Sequence, residues 1–193
     1  IGSLPKILRN SLASFEKSKK LELKVDKDKT NRYRSKLLGK SNKKIVGISW
    51  KSTSKAKIKA KRVISLEELI KGIYSPSICF VSLQYGEVDQ EISLLKEKYG
   101  IEVNQIKEFD NFNDIDELSS LIYTCDEVVS IANITVNLAG AIGTKCNTLI
   151  DVGSSWRFGI DSDYSYWFPS VRLFRRINSK NWDETLHRIK QEI

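Results

Sequence analysis

EVVSIANITVNLAGAIG, residues Glu127–Gly143, contains a strand, a junction and a helix in one line. Glu127–Ile131 is a short run dominated by β-branched residues and reads as a buried strand. Thr135–Ile142 is apolar and small-residued, and Gly143 supplies a helix stop. Asn133 stands where a starting helix needs a side-chain acceptor for its unpaired amides. The same alternation extends outward in both directions. KIVGISW (Lys44–Trp50), ICFVSLQ (Ile78–Gln84), a weaker piece near Val103–Ile106, NTLIDV (Asn147–Val152) and VRLFRR (Val171–Arg176) read as strands. Helical stretches separate them at Ser65–Ile73, Asp89–Tyr99 and Ile115–Tyr123, and Trp182–Ile193 closes the chain. Ser65 with Glu68 forms a capping-box signature, and Gly100 is a second stop. Strands that read as continuous apolar runs, alternating with helices of about ten residues, predict right-handed βαβ units. The predicted fold class is α/β, a doubly wound, mostly parallel sheet of Rossmann-like type covered on both faces.

The 193 residues are 40% hydrophobic and 29% charged, which fits one globular domain with an extension and excludes two full domains. Residues 1–40 read as the tail of a preceding domain plus a linker. Leu4, Ile7, Leu8, Leu12 and Phe15 recur at helical spacing, and a second helical piece ends at Gly39, yet both lack the apolar content for a core of their own. Residues 41–193 form the domain proper. The absence of methionine marks residue 1 as an unlikely-looking start, so the chain is read as a piece of something longer. No apolar run approaches the ~20 residues that cross a membrane. Cys79, Cys125 and Cys146 are odd in number and widely spaced, and there is one histidine, so neither a zinc site nor another metal site is expected. Reduced thiols point to the cytoplasm. The net charge of +8 is concentrated in the run Lys40–Arg62, which reads mainly as a solvated loop.

In an open parallel sheet the ligand crevice lies beyond the carboxyl ends of the strands, where the strand order reverses. Three places qualify: Ser49–Ser52 after the first strand, Gln84–Glu87 after the second, and Ala132–Thr135 before the helix that begins the quoted unit. The last has the clearest physical basis, because a helix start presents free amides and partial positive charge to an anion. From the residues alone a plain structural cap is the favoured role of Asn133, since every such helix needs one. The segment Trp156–Ser170 is dense in aromatic residues, and reads either as a ligand-stacking loop or as a packing plug. No G-x-G-x-x-G follows the first strand, no phosphate-binding G-x-x-x-x-G-K-[ST] loop exists, and no G-x-S-x-G occurs, which argues against a dehydrogenase, a P-loop enzyme or a serine hydrolase. His187, in the last helix, is placed at its surface.

Taken in order, SLPKILRNS, KIVGISWKS, RVISLEEL, FVSLQYGE, CDEVVSIANITVNLAGAIGT, SSWRFG with YWFPSVRLFRR, and NWDETL resemble the carboxy-terminal part of the glycosyltransferase family 9 and family 41 group, especially members that follow tetratricopeptide repeats. The resemblance implies half of a GT-B architecture, whose carboxy-terminal domain takes a nucleoside diphosphate sugar as donor substrate, with no further cofactor and no metal. It implies substrate-binding roles for Trp50, Lys51, Ser52, Gln84, Asn133, Ile134, Thr135 and Asn137, with Trp50–Ser52 and Asn133–Thr135 flanking the diphosphate and Gln84 near the nucleoside. The catalytic residue is not identified. The group typically carries an aspartate-threonine pair and a histidine where Ala132, Asn133 and Asn137 stand here. The implied function is therefore inverting sugar transfer by a domain incomplete alone, onto a protein or glycan acceptor. The alternative is a degenerate, non-catalytic interaction or scaffold domain of the same fold. A nucleic-acid partner, resting only on the lysine run, ranks last.

Overall fold

A computed structural model describes residues 4–16, 23–52, 64–151, 156–160, 162–176 and 181–193. Short helices α1 (Leu4–Leu8) and α2 (Ala13–Glu16) lead to α3 (Lys27–Leu38) and then to an alternating series: β1 (Lys44–Ser49), α4 (Leu66–Ile73), β2 (Ile78–Ser82), α5 (Asp89–Tyr99), β3 (Val103–Asn104), α6 (Ile115–Thr124), β4 (Glu127–Ile131), α7 (Ile134–Ile142), β5 (Cys146–Ile150), β6 (Val171–Arg175) and α8 (Asp183–Lys190). The six strands form one sheet in the order β3-β2-β1-β4-β5-β6, and every pairing is parallel. The chain leaves β1 toward one edge and returns beside it as β4, so the strand order reverses between β1 and β4. This is the doubly wound, Rossmann-like arrangement expected from the sequence. Among the described residues no helix is long and apolar enough to cross a membrane.

Two cores follow from the pleat. Val46, Ile48, Phe80, Val129, Leu149 and Phe174 face α4, α5 and α8, while Ile45, Val81, Val128, Ile150 and Leu173 face α3, α6 and α7. Alternate residues of one strand thus enter opposite cores, which is why the strands carry no polar face. Helix boundaries follow local chemistry. Ser65 Oγ accepts from the Glu68 amide at 3.1 Å. Gly100 and Gly143 end α5 and α7 with φ of 68° and 90°, a left-handed conformation that costs glycine nothing. Gly140 permits a close approach of a different kind: a Cβ there would lie 2.3 Å from the Phe168 ring. The small face of α7 therefore receives the aromatic segment. That segment behaves as a plug, with Phe158 buried, Tyr164 bridging antiparallel to Arg172, and Trp167 edge-on to Phe15 at 4.9 Å.

The amino-terminal apolar residues depart from expectation. Leu4, Ile7, Leu8 and Leu12 are each more than half exposed, and the helical run breaks at Arg9–Leu12 into two pieces. A five-residue helix has little intrinsic stability, and these side chains find no core to join. By contrast α3 docks firmly. Tyr33 is fully buried and donates its hydroxyl proton to Glu117, which also pairs with Lys29 at 2.5 Å; Arg34 meets Asp126 at 3.0 Å, and Lys36 meets Glu108. A basic helix thus lies across an acidic stretch.

At the amino end of the sheet, Glu127 is completely buried at the start of β4. It pairs with Lys44 at 2.7 Å and Lys145 at 2.9 Å, and accepts from Asn147 at 2.5 Å. The same lysines donate to the Ile193 and Glu192 carbonyl oxygens at 2.8 and 3.0 Å, tying the segment after α8 to the sheet. Removing the carboxylate leaves two partly buried ammonium groups facing each other. Glu127→Ala should lower unfolding free energy by about 3 kcal/mol, read as a shifted urea midpoint with unchanged slope. The docking of α3 should also be pH-dependent. Lys29 and then Tyr33 hold the Glu117 carboxyl below its ordinary value of 4.5, and Lys36 does the same for Glu108. A depressed carboxyl stabilises the fold above its unfolded pKa, and this stabilisation is lost as pH falls through the folded value. Amide exchange in α3 should accelerate below about pH 4, ahead of exchange in β1 and β4.

Candidate functional site

The reversal of strand order puts the carboxyl ends of β1 and β4 side by side, with the start of α7 directly above them. Each of these strands carries a buried serine near its carboxyl end, Ser49 as the last residue of β1 and Ser130 as the last but one of β4. Asn133 joins these pieces. Its Oδ1 accepts from the Thr135 amide at 3.0 Å and from Ser130 Oγ at 3.1 Å, while its Nδ2 donates to Ser49 Oγ at 2.7 Å. Ser49 donates in turn to Gln84 Oε1 at 3.1 Å, so a hydrogen-bond chain runs from the α7 cap across β1 to the end of β2. Gln84 Oε1 also accepts from the Trp50 and Lys51 amides, each at 3.0 Å. One buried side-chain oxygen thereby fixes the whole turn leaving β1.

Helix geometry leaves the first amides of α7 without intrahelical acceptors. Asn133 serves Thr135, and the Asn133 amide returns to the Ile131 carbonyl at 2.8 Å. Of the first three helical residues only Ile134 is exposed, Thr135 and Val136 being buried, and the dipole of α7 adds partial positive charge at that tip. Thr135 is fully buried, and its Oγ1 has no hydrogen-bond partner. The Asn111 side chain caps the neighbouring strand end, donating to the Gln84 carbonyl at 3.2 Å, and its Oδ1 is likewise buried without a partner. Orphaned buried acceptors are costly, so two of them at the ligand edge of a doubly wound sheet are notable.

The residues singled out in the sequence fall into three groups. Gln84, Asn133 and Thr135 belong to the hydrogen-bonded edge itself. Trp50 is buried in the core on the α4, α5 and α8 side, with its indole N–H donating to Glu91 at 2.8 Å; Lys51 Nζ meets the same carboxylate and donates to the Glu87 carbonyl at 3.2 Å. Ser52 is half-buried beside them and precedes the lysine-rich residues 53–63, which lie outside the described residues. Ile134 is 45% exposed at the helix tip, and Asn137 donates to the Asn133 carbonyl at 3.3 Å, one turn in. Ser49, which opens the stretch after the first strand singled out above, belongs to the edge as well, while Ser130, Glu91 and Asn111 join it from outside the set. A polar residue ending an apolar strand could have signalled the two serines; nothing local signals the other two.

The chemistry available at this edge is neutral and hydrogen-bonding. Among the described residues, no group of three or more His, Cys, Asp or Glu is placed to hold a metal ion. All three cysteines are buried free thiols; burial raises Cys79 and Cys125 and pushes Cys146 up to about 12, so none supplies a thiolate near neutrality. His187 lies exposed on α8, bonded to Gln191, far down the chain from this edge.

The chain is similar to Protein FlbA of Caulobacter vibrioides. The two are 34% identical over 144 residues, which is 75% of this chain and 24% of that protein, so the chain spans about a quarter of its relative's length. No protein-family model matches the chain, and no solved structure matches it significantly.

Gln84→Leu should disrupt this edge. It leaves the buried Ser49 hydroxyl and Trp50 amide without an acceptor, and should destabilise the domain by about 2 kcal/mol, measured by chemical denaturation.

Proposed function

We propose that this chain binds a nucleoside diphosphate sugar at the carboxyl edge between β1 and β4, as the donor-binding domain of a glycosyltransferase-like protein. The observation that carries the proposal is the α7 tip: an exposed first helical residue, a helix dipole and, just beneath, the buried and unpartnered Thr135 hydroxyl lie at the switch point of a doubly wound sheet. A diphosphate suits that tip because its charge needs donors that are already oriented, and Lys51 on the neighbouring turn is the cation it would recruit. Inverting transfer would use the same groups to stabilise the departing diphosphate without a metal. The acceptor, a protein or a glycan, and any catalytic carboxylate would come from chain outside this domain, as would tetratricopeptide repeats.

A second reading, a non-catalytic domain of the same fold, is favoured by Asn137. Its amide is hydrogen-bonded to its own helix cap and has no acid or base to contribute. The two readings share the binding step and part over turnover.

Isothermal titration tests that shared step. At least one of UDP, GDP and ADP should bind with Kd of about 1 mM or tighter. Asn133→Asp keeps the cap, because aspartate serves that position as well as asparagine, but it places a negative charge against the ligand. Its affinity should fall by at least about tenfold, and the thermal midpoint should drop modestly because the Nδ2 donation to Ser49 is lost while the helix cap is kept. No heat with any of the three nucleotides ends the proposal.

A further inference from the structure

Lys51 begins at the ligand edge, but its ammonium is drawn away from it. Nζ pairs with the Glu91 carboxylate and donates to the Glu87 carbonyl, while the second Glu91 oxygen accepts the Trp50 indole N–H. Glu91 lies in the first turn of α5, whose buried residues Ile92 and Leu95 belong to the core shared with α4 and α8. Helix α7 buries Val136, Leu138 and Ala139 in the opposite core. The nearest cation of the turn and the anion-seeking helix tip are therefore directed toward opposite faces of the sheet.

We propose that Glu91 is a built-in competitor for the ligand: its carboxylate holds the Lys51 ammonium until a phosphate at the α7 tip takes it over. This inference rests on the reading of that tip as an anion site. The exchange is mechanically simple. Gln84 pins the Lys51 amide, so the Cα stays fixed and only the side chain swings. Trp50 does not have to move, because Glu91 keeps its second oxygen for the indole. The exchange is also energetically shallow. The Lys51 and Glu91 side chains are 24% and 40% exposed, and an ion pair so wetted resists exchange only weakly. A buried pair would lock the site, whereas this one sets its threshold.

Calorimetric titration of UDP and of inorganic pyrophosphate into the whole chain tests this, at low ionic strength, for the parent, Glu91→Gln, Lys51→Met and the double variant. Glutamine keeps an acceptor for the Trp50 indole while abolishing the charge. Glu91→Gln should tighten both ligands roughly two- to fivefold, Lys51→Met should weaken both, and the gain from Glu91→Gln should vanish in the Lys51→Met background. If the parent binds and Glu91→Gln leaves affinity unchanged or weaker, Glu91 is no competitor and the inference is wrong. A gain that persists without Lys51 overturns it too, as a general loss of repulsion. If neither ligand binds any of the four proteins, the reading of the α7 tip falls, and the exchange falls with it.

Discussion

The carboxyl edge of this sheet depends on a single buried acceptor. Gln84 Oε1 receives the Ser49 hydroxyl and two successive amides, and through Ser49 it is joined to the cap of α7. Parallel strands force this arrangement. Each must leave the sheet at the same edge and turn toward a covering helix, so backbone amides at that edge lose their ladder partners together. A glutamine reaching across from the adjacent strand satisfies them at once. The geometry that results is rigid where the ligand would sit and open only at the first amides of α7.

The charge distribution serves two separate purposes. Around α3, basic residues meet acidic ones pair by pair, and their effect is to hold an element with few apolar side chains against the domain. At the amino end, Glu127 gathers two lysines beneath the sheet and so fastens the segment after α8. Among the described residues the polarity of the site comes from amides and hydroxyls. Lys51, on the turn leaving β1, is paired with Glu91.

Much of the fold was legible in the sequence because its signals are local. Ser65 and Glu68 announce the start of α4, Gly100 and Gly143 announce the ends of α5 and α7, and uninterrupted apolar runs announce strands buried on both faces. The amino-terminal spacing of Leu4, Ile7, Leu8 and Leu12 marked a helical face correctly in kind, but periodicity identifies a face without saying what it meets; here it meets solvent, and the helix breaks. The site was legible only in part for the same reason. Asn133 sits at a junction that any strand-to-helix turn reveals. The triple acceptance by Gln84 joins residues more than thirty positions apart, and the capture of Lys51 by Glu91 spans forty. No pattern along the chain encodes those meetings; they exist only once the strand order is known.

This division between local and distant signals bears on what the edge can do. Binding an anion at a helix start requires oriented amides, and those follow from the fold whatever the side chains are. Chemistry requires in addition a group that changes protonation or charge at the reacting atom. Neither Ala132, exposed just before α7, nor Asn137 within it, which is bonded to its own helix cap, offers such a group. Anion recognition and turnover are thus separable here at the level of individual residues. Under the proposed reading this domain supplies the first without the second, and turnover would need an acid or base from outside it.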